Sequence, residues 1–138
     1  MTFARTNLAG LAALATLAPT MAAADSCWWH NGSLMRLSAY GEGRAFHYEN
    51  PRGALAAAGV QNGTMLFNGR NQGGYYSGVA QVFSSSCPGQ PLMYEVAGPV
   101  GPNQTSVTLY GTREVRNGCF GTGQYVQDVL TFTYAFQC

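Results

Sequence analysis

Residues 63–87 read Gly-Thr-Met-Leu-Phe-Asn-Gly-Arg-Asn-Gln-Gly-Gly-Tyr-Tyr-Ser-Gly-Val-Ala-Gln-Val-Phe-Ser-Ser-Ser-Cys. Two apolar-rich runs flank a polar, glycine-containing centre. Arg70-Asn71-Gln72-Gly73-Gly74 supplies the small residues that a tight antiparallel connection needs, because glycine tolerates positive φ. The second run alternates. Tyr76, Gly78, Ala80 and Val82 share one face, and Tyr75, Ser77, Val79, Gln81 and Phe83 share the other. A narrow apolar face of this kind suits a strand bending over a small packed interior. The stretch predicts a β-hairpin and, with it, an all-β domain.

The same reading extends in both directions. Asn31-Gly32 between apolar segments is a strong two-residue hairpin signal, so residues 27–30 fold back on residues 33–40. Residues 44–49 form the next strand, with Phe46 and Tyr48 on one face and Ala45, His47 and Glu49 on the other. Pro51 ends it, since proline cannot donate to a ladder. Ala54-Leu55-Ala56-Ala57-Ala58-Gly59 predicts one short helix of a turn or two, capped by Gly59. Beyond the central hairpin, strands are expected over residues 92–97, 104–115 and 125–137, with a loop over 116–123 that holds Cys119. On the last strand Val126, Leu130, Phe132, Tyr134 and Phe136 are expected to face inward. About seven or eight short strands with short connections predict a small antiparallel meander barrel, preferred to a Greek-key sandwich because closure removes exposed edges.

Residues 1–24 carry Arg5, an apolar run over 8–17, and Met21-Ala22-Ala23-Ala24 before Asp25. This is the pattern of a cleaved secretory signal peptide, and the run is too short for a membrane anchor. Residues 25–138 are then expected to form a single disulfide-stapled domain, secreted or periplasmic, with no integral membrane segment after cleavage. Within it Arg36, Arg44, Arg52, Arg70, Arg113 and Arg116 balance Asp25, Glu42, Glu49, Glu95, Glu114 and Asp128 one for one, and there is no lysine. The balance argues against nucleic acid and against anionic membrane surfaces, which both demand excess basic charge.

All four cysteines, Cys27, Cys87, Cys119 and Cys138, lie in this domain. An even count behind a leader reads as two disulfides. No C-x-x-C pair or histidine spacing suggests zinc. Spacing alone does not choose among the pairings, but a meander does. It carries the strands before Cys87 and Cys119 the same way, and it brings the termini together. The expected bridges are Cys87–Cys119 and Cys27–Cys138.

His30-Asn31-Gly32-Ser33-Leu34-Met35, Tyr48-Glu49-Asn50-Pro51-Arg52, the run from Gly59 to Gly69, Tyr76-Ser77-Gly78-Val79-Ala80-Gln81-Val82-Phe83 and the strand from Val107 to Gly111 are similar to a family of small secreted bacterial β-barrels without an assigned function. Similar modules are appended to caspase-like proteases. The resemblance covers most of residues 29–136 and brings no catalytic signature. It implies a pair like Cys87 and Cys119, with Cys27 and Cys138 less often matched. No protease part is present, so protease activity is not implied.

Nucleophilic catalysis needs Ser or Cys beside a base, and no G-x-S-x-G elbow occurs. His30 reads as a turn-flanking polar residue, and His47 with Glu49 as a solvated pair on one strand face. No catalytic residue, cofactor or metal ligand is assigned. Asp128, on the apolar face of the last strand, must find a partner such as Arg113 or Arg116, or else meet a ligand at the rim. Arg52 either binds backbone carbonyls of the 51–62 connection or grips a carboxylate. Trp29 and Tyr75 are candidates to stack on a sugar or a partner surface. Trp29, His47, Arg52, Tyr75 and Asp128 are therefore the possible ligand contacts. The expected function is a non-enzymatic binding module for a protein or an envelope glycan. The alternatives are a small extracytoplasmic hydrolase using His47, Glu49 or Asp128, an inhibitor of a hydrolase, or a structural envelope protein.

Overall fold

The structure, a computed structural model, describes residues 10 and 25–138. The leader expected over residues 1–24 falls, Gly10 apart, outside the described residues. Eight antiparallel strands follow one another around a closed barrel: β1 Ser26–His30, β2 Ser33–Tyr40, β3 Gly43–Asn50, β4 Met65–Gln72, β5 Tyr75–Val82, β6 Leu92–Pro99, β7 Ser106–Asn117 and β8 Phe120–Gln137. Each strand pairs with its neighbour in sequence, and β1 pairs with β8 to close the ring. The architecture is the expected meander.

Local chemistry explains the corners. Asn31 and Gly32 adopt positive φ (46° and 79°), as do Gly73 and Gly74 (61° and 83°), which matches the mirror-image turns that right-twisted strands require. Because Gly73-Gly74 suffices, the expected turn over residues 70–74 shrinks to these two. Arg70, Asn71 and Gln72 stay in β4, opposite Ser77, Tyr76 and Tyr75. In the same way the expected loop over 116–123 is replaced by a two-residue turn at Gly118-Cys119, with Asn117 opposite Phe120.

The expected helix after Pro51 is a 3-10 segment, Gly53–Ala58, closed by Gly59 at φ 84°. Six residues are too few for an α-helix to repay its nucleation. The segment instead tucks Leu55 and buried Ala58, with Val60 just beyond its cap, against the barrel end. A second 3-10 segment, Pro102–Gln104, links β6 to β7. No α-helix occurs among the described residues.

The interior is filled. Phe46 and Phe132 stack with centroids 3.9 Å apart, Trp28 meets Phe46 edge-on, and Phe67 stacks on Tyr76 at 6.1 Å. Met35, Leu66, Val96, Val107, Leu109 and Leu130 close the remaining gaps. Each fully buried side chain of this size stabilises the fold by roughly 1.5–3 kcal/mol. Gly69 and Gly78 face each other across β4 and β5, and a Cβ at Gly69 would strike the Phe67 ring and the Ser77 carbonyl. Small residues there admit a ring, not a void.

Two inward assignments on β8 are corrected. Phe136 is 47% exposed, because a bulge opposite Cys27 and Trp28 shifts the register and turns it outward. Val126 is 39% exposed, because it lies where β7 and β8 run beyond the barrel as a two-stranded arm.

The bridges are Cys27–Cys138 and Cys87–Cys119, with Cα separations of 5.3 and 5.0 Å. One locks the β1–β8 seam, and the other binds the tip of the arm to the connection before β6. The filled interior is apolar, while the outer wall mixes exposed aromatic residues with Arg36, Asn68, Arg70 and Glu95. A lipid-facing barrel instead has a polar interior and a continuous outward apolar band. No helix among the described residues is long and apolar enough to cross a membrane.

Candidate functional site: the open mouth of the barrel

The two ends of the barrel differ. One is plugged by the Gly53–Ala58 segment, and Gly89 N–H donates to the Ala58 carbonyl at 3.1 Å to hold the neighbouring loop over it. The other end, where the chain enters β1 and leaves β8, stays open. It holds a cleft of about 250 Å³ lined by Ser26, Trp28, Leu37, Ala39, Arg44, Asn71, Tyr76, Val100, Gln104, Val107, Tyr134 and Gln137.

Strand alternation aims these groups. Arg44 shares its face with Phe46 and Tyr48, so it points into the barrel axis at the mouth. Its Nη1 donates to the Gly41 and Gly43 carbonyls, both at 2.8 Å. Among the described residues it is the one charged group lining the cleft. Burial pushes the Tyr76 phenol up, and the charge of Arg44 and its hydrogen bond to the phenol oxygen oppose that shift. Trp28 and Tyr134 pack edge to face at 5.6 Å, and Trp28 Nε1 donates to Ser26 Oγ at 2.8 Å. At the lip, Asn103 and Gln104 both hold left-handed backbone, with φ 58° and 56°.

The sequence-predicted contacts are not gathered in one place. Trp29, 50% exposed on β1, and Tyr75, 53% exposed on β5, stand on opposite sides of the barrel, four strands apart. His47 lies on the outer wall opposite Arg36 and Met65. Glu49 pairs with Arg36 (2.8 Å), not with His47, and Arg36 also holds Asp25 (3.2 Å). The hydrogen bond from Arg36 holds the Glu49 carboxyl below its usual value. Arg52 is exposed, and its backbone does the anchoring: its N–H donates to Ser33 Oγ and its carbonyl accepts from Leu55.

Asp128 does face inward and does meet Arg113, Oδ2 to Nε at 3.3 Å. The same oxygen accepts from the Tyr94 hydroxyl at 2.7 Å. The Arg113 N–H points off this oxygen, so the pair is held by charge alone and Nε makes no hydrogen bond. Burial first, and the bond to Asp128 second, push the Tyr94 phenol well up. Arg116 instead reaches the Gln90 carbonyl at 2.7 Å. His30, expected beside the turn, is buried at 5% exposure. It stacks on Phe132 and shares Nδ1 with the Thr131 carbonyl at 3.0 Å. A carbonyl only accepts, so Nδ1 carries the proton, and Nε2 accepts from Asn31.

Two other features frame the choice of site. β6 and β7 pair at Val96–Gly111 and Ala97–Tyr110 and then diverge, which leaves a cleft of about 450 Å³ flanked by Glu95 and Glu114. It is wider than the mouth, but it opens across the outer wall, whereas the mouth is ringed by strands. No three of His, Cys, Asp and Glu gather as a metal site among the described residues.

Fold and site together define a disulfide-locked meander barrel with a filled interior, one plugged end and one open mouth. Comparison with protein-family models, with curated proteins and with solved structures finds no match to this chain.

Proposed function

We propose that this chain is an extracytoplasmic binding module that presents the open mouth of its barrel to a protein or to an envelope component, without catalysis. The observation that carries the reading is the convergence of Arg44, Trp28, Tyr76 and Gln104 in one cleft on a rigid, cross-linked scaffold. Concave sites with apolar walls and a few placed polar groups are the usual form of a binding site. The separation of His47 and Glu49 from Asp128, on different strands and opposite faces of the wall, disfavours the hydrolase alternative. Export is part of the proposal. It rests on the two disulfides, which persist in oxidising compartments, and on the leader pattern. Kinship with the secreted barrels that the sequence resembles belongs to the same proposal.

The test is affinity capture from the producing organism's envelope fraction with oxidised residues 25–138. A parallel column carries Ala39→Phe, which fills the cleft from its wall. Retention of a component by the parent but not by Ala39→Phe supports the reading. Equal retention by both, or none, contradicts it.

A further inference from the structure

We infer that the mouth binds a monocarboxylate carried on a small apolar body, about one ring in size. The inference rests on the binding reading above and names the ligand chemistry of that same cleft.

The charge is decided by Arg44. No carboxylate pairs with it among the described residues, and none lines the cleft. Glu42, on the adjoining turn, is exposed and accepts from Gln72 Nε2 at 3.4 Å. The Gly41 and Gly43 carbonyls hold Nη1 in place, and the Tyr76 hydroxyl lies within hydrogen-bonding reach of the same guanidinium. A guanidinium has five donors, so one braced only by neutral groups and paired with no carboxylate keeps its charge and has donors to spare for the oxygens of a carboxylate. One cation, with no second base beside it, suits a monoanion better than a phosphate.

The body is decided by the walls. Trp28, Leu37, Tyr76 and Val107 are buried and line the cleft below Arg44. The volume, about 250 Å³, lies under the roughly 300–1,000 Å³ of sites for drug-sized ligands, so a single ring with a short arm fits. With no carboxylate in the lining to accept from sugar hydroxyls, the cleft suits an apolar acid better than a glycan.

Backbone strain supplies an independent observation. Left-handed φ is common for asparagine but rare for glutamine. Gln104 nevertheless holds φ 56° directly after Asn103, and its N–H bonds the Gly101 carbonyl at 3.1 Å. Such strain persists where the structure puts a side chain to use. Here the strained residue is one of those that line the cleft.

The same chemistry is offered by a free aryl acid and by the carboxyl end of a peptide. The probes are therefore phenylacetate and 3-phenylpropionate for the first, N-acetyl-phenylalanine for the second, and the primary amide of each. The two indole N–H signals in a proton–nitrogen NMR spectrum give an internal control, because Trp28 lines the mouth and Trp29 lies on the outer wall. At least one acid is expected to shift the Trp28 signal and leave Trp29 in place, and its amide to bind about tenfold or more weakly. The acid of higher affinity identifies the source. Arg44→Gln is expected to erase the preference for acid over amide. Because Arg44 also braces the Gly41 turn, Gln104→Gly serves as a second variant. It relieves the left-handed strain, so it is expected to melt higher than the parent while binding the acid more weakly.

Amides binding as tightly as acids would overturn the carboxylate assignment and leave the mouth as a binding site. No Trp28 shift with any probe, while the envelope column still retains its partner, would overturn the inference and spare the binding reading. Failure of both would overturn both.

Discussion

At the scale of single residues, the two groups that most resemble chemistry are structural. Asp128 gathers Tyr94 and Arg113 beneath the divergence of β6 and β7. Asp128→Asn keeps the shape but removes the charge that holds Arg113. A loss of about 1–3 kcal/mol in urea unfolding is expected, with ligand binding at the mouth unchanged. His30 is buried, and burial lowers its pKa, against the opposing pull of its bond to Thr131. The folded state therefore disfavours the imidazolium, and the unfolded chain takes up the proton first. The sign follows: stability is full above about pH 6.5 and declines as pH falls below that value. The melting temperature should drop between about pH 7 and pH 5, and His30→Gln should flatten the drop. Glu49 acts in the same direction at lower pH. Its carboxyl is held down by Arg36, so its contribution is lost as pH falls below the ordinary glutamate range.

At the scale of elements, the β7–β8 arm is the least supported part of the sheet. From Thr112 and Gln127 outward, each strand pairs only with the other. The Cys87–Cys119 bridge and the Arg116 bond to Gln90 hold it to the rest. In the double variant Cys87→Ser, Cys119→Ser, amides of residues 112–126 should exchange hydrogen much faster, while those of β2 and β3 stay protected. The elements also show what the sequence made legible. Alternation named the inward faces of β3, β5 and β6, since a two-residue period leaves a half-buried strand little choice. Turn glycines marked the corners at Asn31-Gly32 and Gly73-Gly74, whereas the tight turn at Gly118-Cys119 read as a loop. The same alternation already placed Arg44 on the face of Phe46 and Tyr48, and that was the available signal for the mouth. A strand-end arginine usually turns to solvent, so alternation alone does not mark a mouth. The outward turn of Phe136 was not legible, because a bulge depends on the partner strand. Gln104 was not legible either, because its left-handed backbone arises from the link between two strands and not from its own preference. Trp29 and Tyr75 are exposed, as stacking contacts must be, but only ring closure shows them facing opposite ways.

At the scale of the whole molecule, two cross-links act on two different problems. Cys87–Cys119 restrains an arm, whereas Cys27–Cys138 joins strands at the two ends of the ring order, 111 residues apart in sequence. Removing the second through Cys27→Ser with Cys138→Ser frees a far longer loop in the unfolded chain. It should cost about 3–5 kcal/mol in chemical unfolding and, by loosening the β1–β8 seam, should also weaken binding at the mouth. The molecule is thus a filled barrel, closed at one end and open for recognition at the other. The most direct measurement is a hydrogen-exchange footprint of the oxidised protein with and without the component that the affinity column retains. Added protection confined to residues 41–44, 71–76 and 100–105 is the predicted result. Protection centred on residues 53–60 and 84–91, at the plugged end, would contradict it.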